Sequence, residues 1–201
     1  ETEYQSARQT LEKYDINPID FSSWMGNELA FYETNYQNGQ FAIIKTNDIA
    51  QANKQLKDIS KRLATANQDS VYSEVYDGFE ITFFPLTEFP SLIFGNMTRG
   101  FEDVFYINYD NWLIFSNDFQ NIKNLIDDIR NENTWGKSLT FNQYLELINK
   151  EANLSYIINT KNALRTMMGL ATEEWKDFMN RNEQIIKEFE LVGIQFSNID
   201  D

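Results

Sequence analysis

Apolar residues fall first at helical spacing. Tyr4, Ala7, Leu11 and Tyr14 lie three or four apart, which predicts an amphipathic helix over residues 2–14. Asn17-Pro18 breaks that pattern, and residues 19–26 read as a short second helix carrying Trp24. The period then shortens to that of strands. Residues 28–34 and 40–46 flank a loop ending in Asn38-Gly39. Residues 71–76 and 79–84 flank Asp77-Gly78, a strong type I′ turn because both residues tolerate positive φ. Residues 104–109 and 112–116 flank Asp110-Asn111, and further strand-like runs lie at 154–159 and 191–197. Between them Phe141, Tyr144, Leu145 and Ile148 mark one helix. Trp175, Phe178, Met179, Ile185, Ile186 and Phe189 mark a long late one. Hairpins alternating with helices predict an α+β fold: an antiparallel sheet with helices packed mainly on one face.

An internal repeat gives this pattern an origin. Ile43-Ile44-Lys45-Thr46-Asn47-Asp48 matches Leu113-Ile114-Phe115-Ser116-Asn117-Asp118 at an offset of 70 residues. The offset continues without a gap, setting Ile49, Ala52, Leu56 and Ile59 on Phe119, Ile122, Ile126 and Ile129. Thr/Ser-Asn-Asp supplies three residue types that cap helix N-termini, so the motif ends a strand and starts a helix. Upstream, residues 29–34 correspond to 104–109. A chance match of two hairpins explains four in-phase apolar positions plus a cap less well than a duplicated hairpin-plus-helix unit does. Weaker echoes stand at Ile158-Asn159-Thr160 and Phe196-Ser197-Asn198. The expected organisation is one α+β domain over 1–201, with halves 27–100 and 101–201, excised from a longer chain.

Composition changes this picture mainly by exclusion. The 201 residues include no Cys and no His, which removes the commonest general base, the commonest metal ligand and any Ser-His-Asp or Cys-His relay. The oxygen ligands that remain suit Ca²⁺ or Mg²⁺ rather than a transition metal, and no Asp-rich loop has calcium spacing. The net charge of −14 is spread evenly, −6 over residues 1–100 and −8 over 101–201. No basic stripe offers itself to nucleic acid, and the same sign disfavours anionic membranes. Aromatics at 15% with 8 Gly and 3 Pro describe a packed core rather than disorder. No apolar run approaches the roughly 18 residues of a membrane span.

The landmarks between about Phe41 and Asn162 form an ordered series. After a first strand come the helix over 48–63, the Tyr76-Asp77-Gly78-Phe79-Glu80-Ile81 hairpin, a variable segment, the hairpin over 105–116 and the helix over 121–130. Ser138-Leu139-Thr140 with Tyr144 follows, then a strand over 155–158 entering Asn159-Thr160. This series resembles a bacterial domain of unknown function found in secreted and membrane-anchored proteins. The resemblance implies an extracytoplasmic setting, an N-terminal signal or anchor ahead of this segment and further domains after it. It implies no activity and no cofactor.

Candidate chemistry is sparse. Asp127-Asp128, Glu173-Glu174 and Asp200-Asp201 are acidic pairs, and two carboxylates could act as acid and base on a glycoside if they faced each other across a cleft. Neighbours on a helix point about 100° apart and do not converge, so surface solvation and first-turn dipole stabilisation explain these pairs better. No glycine-rich phosphate loop is present. Asn96-Met97-Thr98 and Asn153-Leu154-Ser155 fit the three-residue glycosylation pattern, which an Asn-rich chain produces by chance. The segment 79–106 is dense in aromatics, Phe83, Phe84, Phe89, Phe94, Phe101 and Phe105 among them, with Pro85 and Pro90 imposing a loop or short helix. Core burial is favoured over an exposed binding loop, with large losses expected on truncating Phe83 and Phe105, which sit within strand patterns, and Phe94 left open in the Pro-bounded middle.

The reading these residues favour is a non-catalytic structural or interaction module of an exported or envelope-anchored protein, partnered by another protein or by other domains of its own chain. The alternatives are a carboxylate-based hydrolase of glycoside type and an apolar-ligand binding domain. No catalytic, cofactor or metal residue is assigned, and the partner surface is left unplaced.

Overall fold

The computed structural model describes residues 3–34, 38–68 and 70–197. Residue 2 of the expected first helix, residues 35–37 of the first hairpin loop, Asn198 of the last echo and the Asp200-Asp201 pair lie outside the described residues. Cα packing divides the chain into two compact units, Glu1–Asp127 and Asp128–Asp201, a division distinct from the sequence halves 27–100 and 101–201.

In the first unit, helix α1 (Glu3–Lys13) buries Leu11, whereas Tyr4 stays 75% exposed. The second helix is shorter than expected. It is a 3-10 turn over Pro18–Ser23, capped by Asn17 accepting from the Ile19 amide at 3.2 Å, and it ends at the buried Trp24. Strand β1 (Met25–Glu33) then starts at once. Strand β2 (Gln40–Thr46) leads into helix α2 (Ile49–Asn67), and β3 (Ser73–Tyr76) turns into β4 (Phe79–Phe83). The turn between them has φ of 47° at Asp77 and 85° at Gly78, a region that glycine enters freely and aspartate tolerates, and Tyr76 lies opposite Phe79. Helix α3 (Phe89–Phe94) carries Pro90 in its first turn, where the missing amide costs nothing. Strands β5 (Phe105–Tyr109) and β6 (Trp112–Ser116) form the next hairpin, followed by α4 (Phe119–Arg130).

These strands make one antiparallel sheet in the order β1-β2-β6-β5-β4-β3. Alternation sends their side chains to two faces, and both faces are apolar. Ala42, Ile44, Tyr106, Leu113 and Phe115 pack with Ala52, Leu56, Ile59 and Leu63 of α2, joined by Leu11, Trp24, Phe89 and Phe101. Phe41, Ile81, Ile107 and Ile114 pack on the other side with Ile122 and Ile126 of α4. Helices α1, α2 and α3 thus share one face, and α4 covers the other.

The two matched segments contain the same elements in the same order. Their central strands pair with each other, Ile43 opposite Ile114 and Ile44 opposite Leu113. The offset maps Ile44 onto Ile114, which points to the opposite face. Each strand still delivers its own helix to the face its matched residues occupy, with the same cap: Asp48 accepts from the Gln51 amide at 2.9 Å and Asp118 from the Asn121 amide at 3.0 Å. Strands β1 and β5 flank this central pair on opposite sides, so hairpin plus helix has opposite hand in the two segments. Superposing all three elements at once is therefore excluded. What the offset preserves is strand plus helix.

The second unit is lighter. Helix α5 (Leu139–Leu147) precedes β7 (Leu154–Asn159) and α6 (Thr160–Leu170), then α7 (Glu173–Arg181), α8 (Glu183–Glu188) and β8 (Leu191–Phe196). Strands β7 and β8 form a two-stranded antiparallel ribbon. The long late helix expected from 175 to 189 is instead two helices. Asn182 leaves helical geometry at φ −114°, ψ 15°, and its side-chain amide donates to the Phe178 carbonyl at 2.8 Å, a local bond that competes with helix continuation. Its apolar face is not core either: Trp175, Phe178, Ile185 and Phe189 are all exposed, and Met179 alone of that set is buried.

Candidate functional site

The acidic pairs diverge. Asp127 accepts from the Tyr76 hydroxyl at 2.9 Å, whereas Asp128 accepts from the Asn133 side-chain amide at 2.9 Å. Glu173 opens α7 and pairs with Lys176 at 2.7 Å. Four carboxylates have pKa values held below the ordinary range, and in each case a lysine hydrogen bond is the main cause: Lys123 on Glu74, Lys57 on Glu80, Lys187 on Glu183 and Lys161 on Glu190. A carboxylate kept ionised in this way is a poor proton donor, the reverse of what a glycosidase acid needs. Among the described residues no three His, Cys, Asp or Glu side chains gather closely enough to hold a metal ion.

A shallow depression of about 150 Å³ lies in the second unit, lined by Trp135, Phe141, Asn159, Lys161, Glu190 and Leu191. Lys161 and Glu190 neutralise each other at 2.6 Å, and Trp135 and Phe141 pack together at 4.9 Å between ring centres. A second hollow, lined by Gln5, Arg8, Gln9 and Glu12, is the surface of α1 itself, with Arg8 and Glu12 paired at 2.7 Å. Neither gathers two carboxylates.

The aromatic segment is inward-facing. Phe84, Phe89 and Phe101 are buried, while Phe83, Phe94 and Phe105 are half-buried. Phe83 and Phe105 sit opposite each other on β4 and β5, 5.4 Å between ring centres, at the rim of the α4 core. Both sequon asparagines, Asn96 and Asn153, are exposed. Among the described residues no helix is long and apolar enough to cross a membrane.

What remains is the β7–β8 ribbon, which the sequence reading identified as two strands but not as a surface. Its twelve residues include no charged side chain, in a chain that is 24% charged. Register places Leu154 opposite Phe196, Tyr156 opposite Ile194 and Ile158 opposite Val192, so one face of the ribbon is apolar at all six positions. The other face carries Ser155, Ile157, Asn159, Leu191, Gly193 and Gln195, and Tyr144 of α5 reaches it at Gly193. Gly193 is required there, because any Cβ would collide with the Tyr144 hydroxyl, and Gln195 exchanges two 2.8 Å hydrogen bonds with the backbone of Asn149. On the apolar face Leu154 is 41%, Tyr156 41%, Val192 37%, Ile194 52% and Phe196 56% exposed. Among the described residues no third strand pairs with either edge. Alternation of apolar residues at 154, 156, 158 and 192, 194, 196, without an intervening charge, was the signal that could have found it.

Comparison with protein-family models, with curated protein sequences and with solved structures finds no match to this chain.

Proposed function

We propose that this chain is a non-catalytic structural or interaction module, and that its contact surface is the apolar face of the β7–β8 ribbon. The observation that carries this reading is the row Leu154, Tyr156, Val192, Ile194 and Phe196, contiguous, uncharged and between 37% and 56% exposed. Isolated exposed apolar residues are ordinary, but a contiguous uncharged face is the mark of a surface that meets another. The first unit supports the same view by contrast: both faces of its sheet are covered by helices, and its edge strands carry Glu28, Glu33 and Glu74 as charged guards. Strand plus helix is the repeated element in this reading, the product of a duplication that placed β2–α2 and β6–α4 back to back. The resemblance carried by the landmarks from Phe41 to Asn162 supports an exported or envelope-anchored setting for the module.

The test is a pair of assays. The apolar dye ANS should bind the native chain, and Ile194→Lys with Phe196→Lys should remove more than half of the signal while far-UV circular dichroism is retained. A panel of aryl glycosides should show no turnover between pH 4 and 8. Glycosidase activity that vanishes in Glu190→Gln would replace this reading with the hydrolase one.

A further inference from the structure

We infer that the depression at one end of the β7–β8 ribbon binds a single neutral pyranose ring, at a site separate from the apolar face, and holds the sugar without cleaving it. Three stretches of the second unit converge there. The turn over Trp135–Lys137 leads through Ser138 into α5 and brings Trp135 and Phe141. The corner from β7 into α6 brings Asn159 and Lys161, and the entry to β8 brings Glu190 and Leu191. Asn159 and Leu191 are a cross-strand pair on the face that Tyr144 reaches, so the site lies across the ribbon from Tyr156 and Ile194.

The aromatic part of the site sets the shape of the ligand. Phe141 braces Trp135 at 4.9 Å between ring centres, tilted by 43°, yet Trp135 stays 45% exposed. A braced, half-exposed indole loses little freedom when a ligand lies on it, and it offers a flat face of negative quadrupole. The axial C–H groups of a pyranose form a flat apolar patch of slight positive charge, which matches that face in shape and in sign. Size agrees: about 150 Å³ is the share of about five waters, room for one six-membered ring and too little for a larger ligand.

The polar part sets its chemistry. Ser138 Oγ accepts from the Phe141 amide at 3.4 Å, and Asn159 Oδ1 accepts from the Asn162 amide at 3.1 Å. The hydroxyl proton of the one and the side-chain amide protons of the other are left to donate. Lys161 donates to Glu190 at 2.6 Å, and each keeps capacity beyond that bond, further N–H donors on one side and a second carboxylate oxygen on the other. Donors beside acceptors suit hydroxyl groups, which are both at once. The pair cancels its own charge, which favours a neutral ligand over an ionic one. The Lys161 hydrogen bond also holds the Glu190 carboxyl below its ordinary range, and no second carboxylate lines the depression. A bound glycoside therefore meets no proton donor of the kind its hydrolysis needs.

The chain has four tryptophans, and NMR of the labelled indoles reports on each of them separately. Methyl β-D-glucopyranoside should shift the Trp135 signal saturably, with Kd on the order of 1–10 mM for so small a ligand in an open site. Trp24, Trp112 and Trp175 should not move. Sorbitol, an open-chain polyol with the hydroxyls but no ring face, should leave Trp135 unmoved as well. Saturation transfer to the C–H protons of the sugar should fall at least roughly fivefold in Trp135→Ala and be largely kept in Trp135→Phe. Lys161→Met should weaken binding by roughly threefold or more with circular dichroism unchanged, and Ile194→Lys should leave binding as it is. No saturable shift by about 50 mM, an equal response to sorbitol, or a response centred on Trp175 would overturn the proposal. Release of free glucose would overturn it together with the non-catalytic reading. Absence of binding alone leaves the reading of the apolar face standing, because the two sites lie on opposite faces of the ribbon.

Discussion

Ile44 of β2 lies directly across from Leu113 of β6, and both point to the face that α2 covers. Their matched residues at the 70-residue offset, Ile114 and Ile43, form the adjacent cross-strand pair and point to the face that α4 covers. Two neighbouring pairs at the centre of one sheet therefore anchor two separate cores, each with its own copy of the strand-to-helix motif.

That separation has an energetic consequence. Leu56 of α2 and Ile126 of α4 are matched residues, both fully buried, in different clusters with the sheet between them. Each truncation to Ala should destabilise by about 2–5 kcal/mol through lost burial and a residual cavity. The double variant should be additive within about 0.5 kcal/mol, because the sites share no partners. Urea unfolding of the four proteins checks it, and a coupling well above 1 kcal/mol would mean a single continuous core.

The matched caps predict matched losses. Asp48→Ala and Asp118→Ala each remove the side-chain oxygen that accepts from the third helical amide, at a cost of about 1 kcal/mol. Asp48→Asn and Asp118→Asn keep an acceptor in place and should recover most of it. Thermal melts compare the four variants, and Asn variants as unstable as the Ala ones would show that the hydrogen bond is not the cause.

Local chemistry was the legible part of this fold. The caps at Asp48 and Asp118 and the Asp77-Gly78 turn depend on neighbours within a few residues, and the structure has them where the sequence pattern puts them. The face each helix takes was not legible, because β2 and β6 are apolar on both sides and alternation cannot rank two buried faces. The break at Asn182 was missed because the apolar period runs across it undisturbed, while the competing side-chain bond forms only in the folded helix. The ribbon face was missed for a related reason. Six apolar positions in two strands look the same in sequence whether or not another layer covers them.

Tyr106 carries a pH dependence with a definite sign. Burial pushes its phenol up to about 12, and its hydroxyl has no hydrogen-bond partner to offset the desolvation. The raised value means that the folded state holds the proton more tightly than the unfolded chain does. Its contribution is complete below pH 10 and is lost as pH climbs toward 12, a total of about 2–3 kcal/mol. Tyr106→Phe should flatten that part of the alkaline stability profile. At pH 7 it should be neutral or slightly stabilising, because the buried hydroxyl it removes has no hydrogen-bond partner. Guanidinium melts at pH 7, 10 and 11.5 decide it, and an unchanged alkaline slope in the variant would assign the effect to other tyrosines.

The aromatic segment separates core from rim between neighbouring residues. Phe84 and Phe101 are fully buried, and Phe84 stacks within 4.3 Å of Phe89, which itself reaches Phe21 and Phe115 at 5.8 and 5.7 Å. Truncating Phe84 or Phe101 to Ala opens a cavity that helices on one side and a sheet on the other cannot close, at about 3–5 kcal/mol each. Phe83 and Phe105, expected from strand position to be core and costly to truncate, are instead half-buried partners at the edge of the opposite core, with Phe119 5.7 Å from Phe105. Water reaches their vacated space, so the cavity penalty falls away and about 1–2.5 kcal/mol of transfer energy remains. Because the two rings contact each other, Phe83→Ala combined with Phe105→Ala should cost less than the two single losses together. Denaturant midpoints for the four single variants and this double variant measure all of it. Losses at Phe83 and Phe105 equal to those at Phe84 and Phe101 would show that the α4 side of the sheet is sealed as tightly as the α2 side.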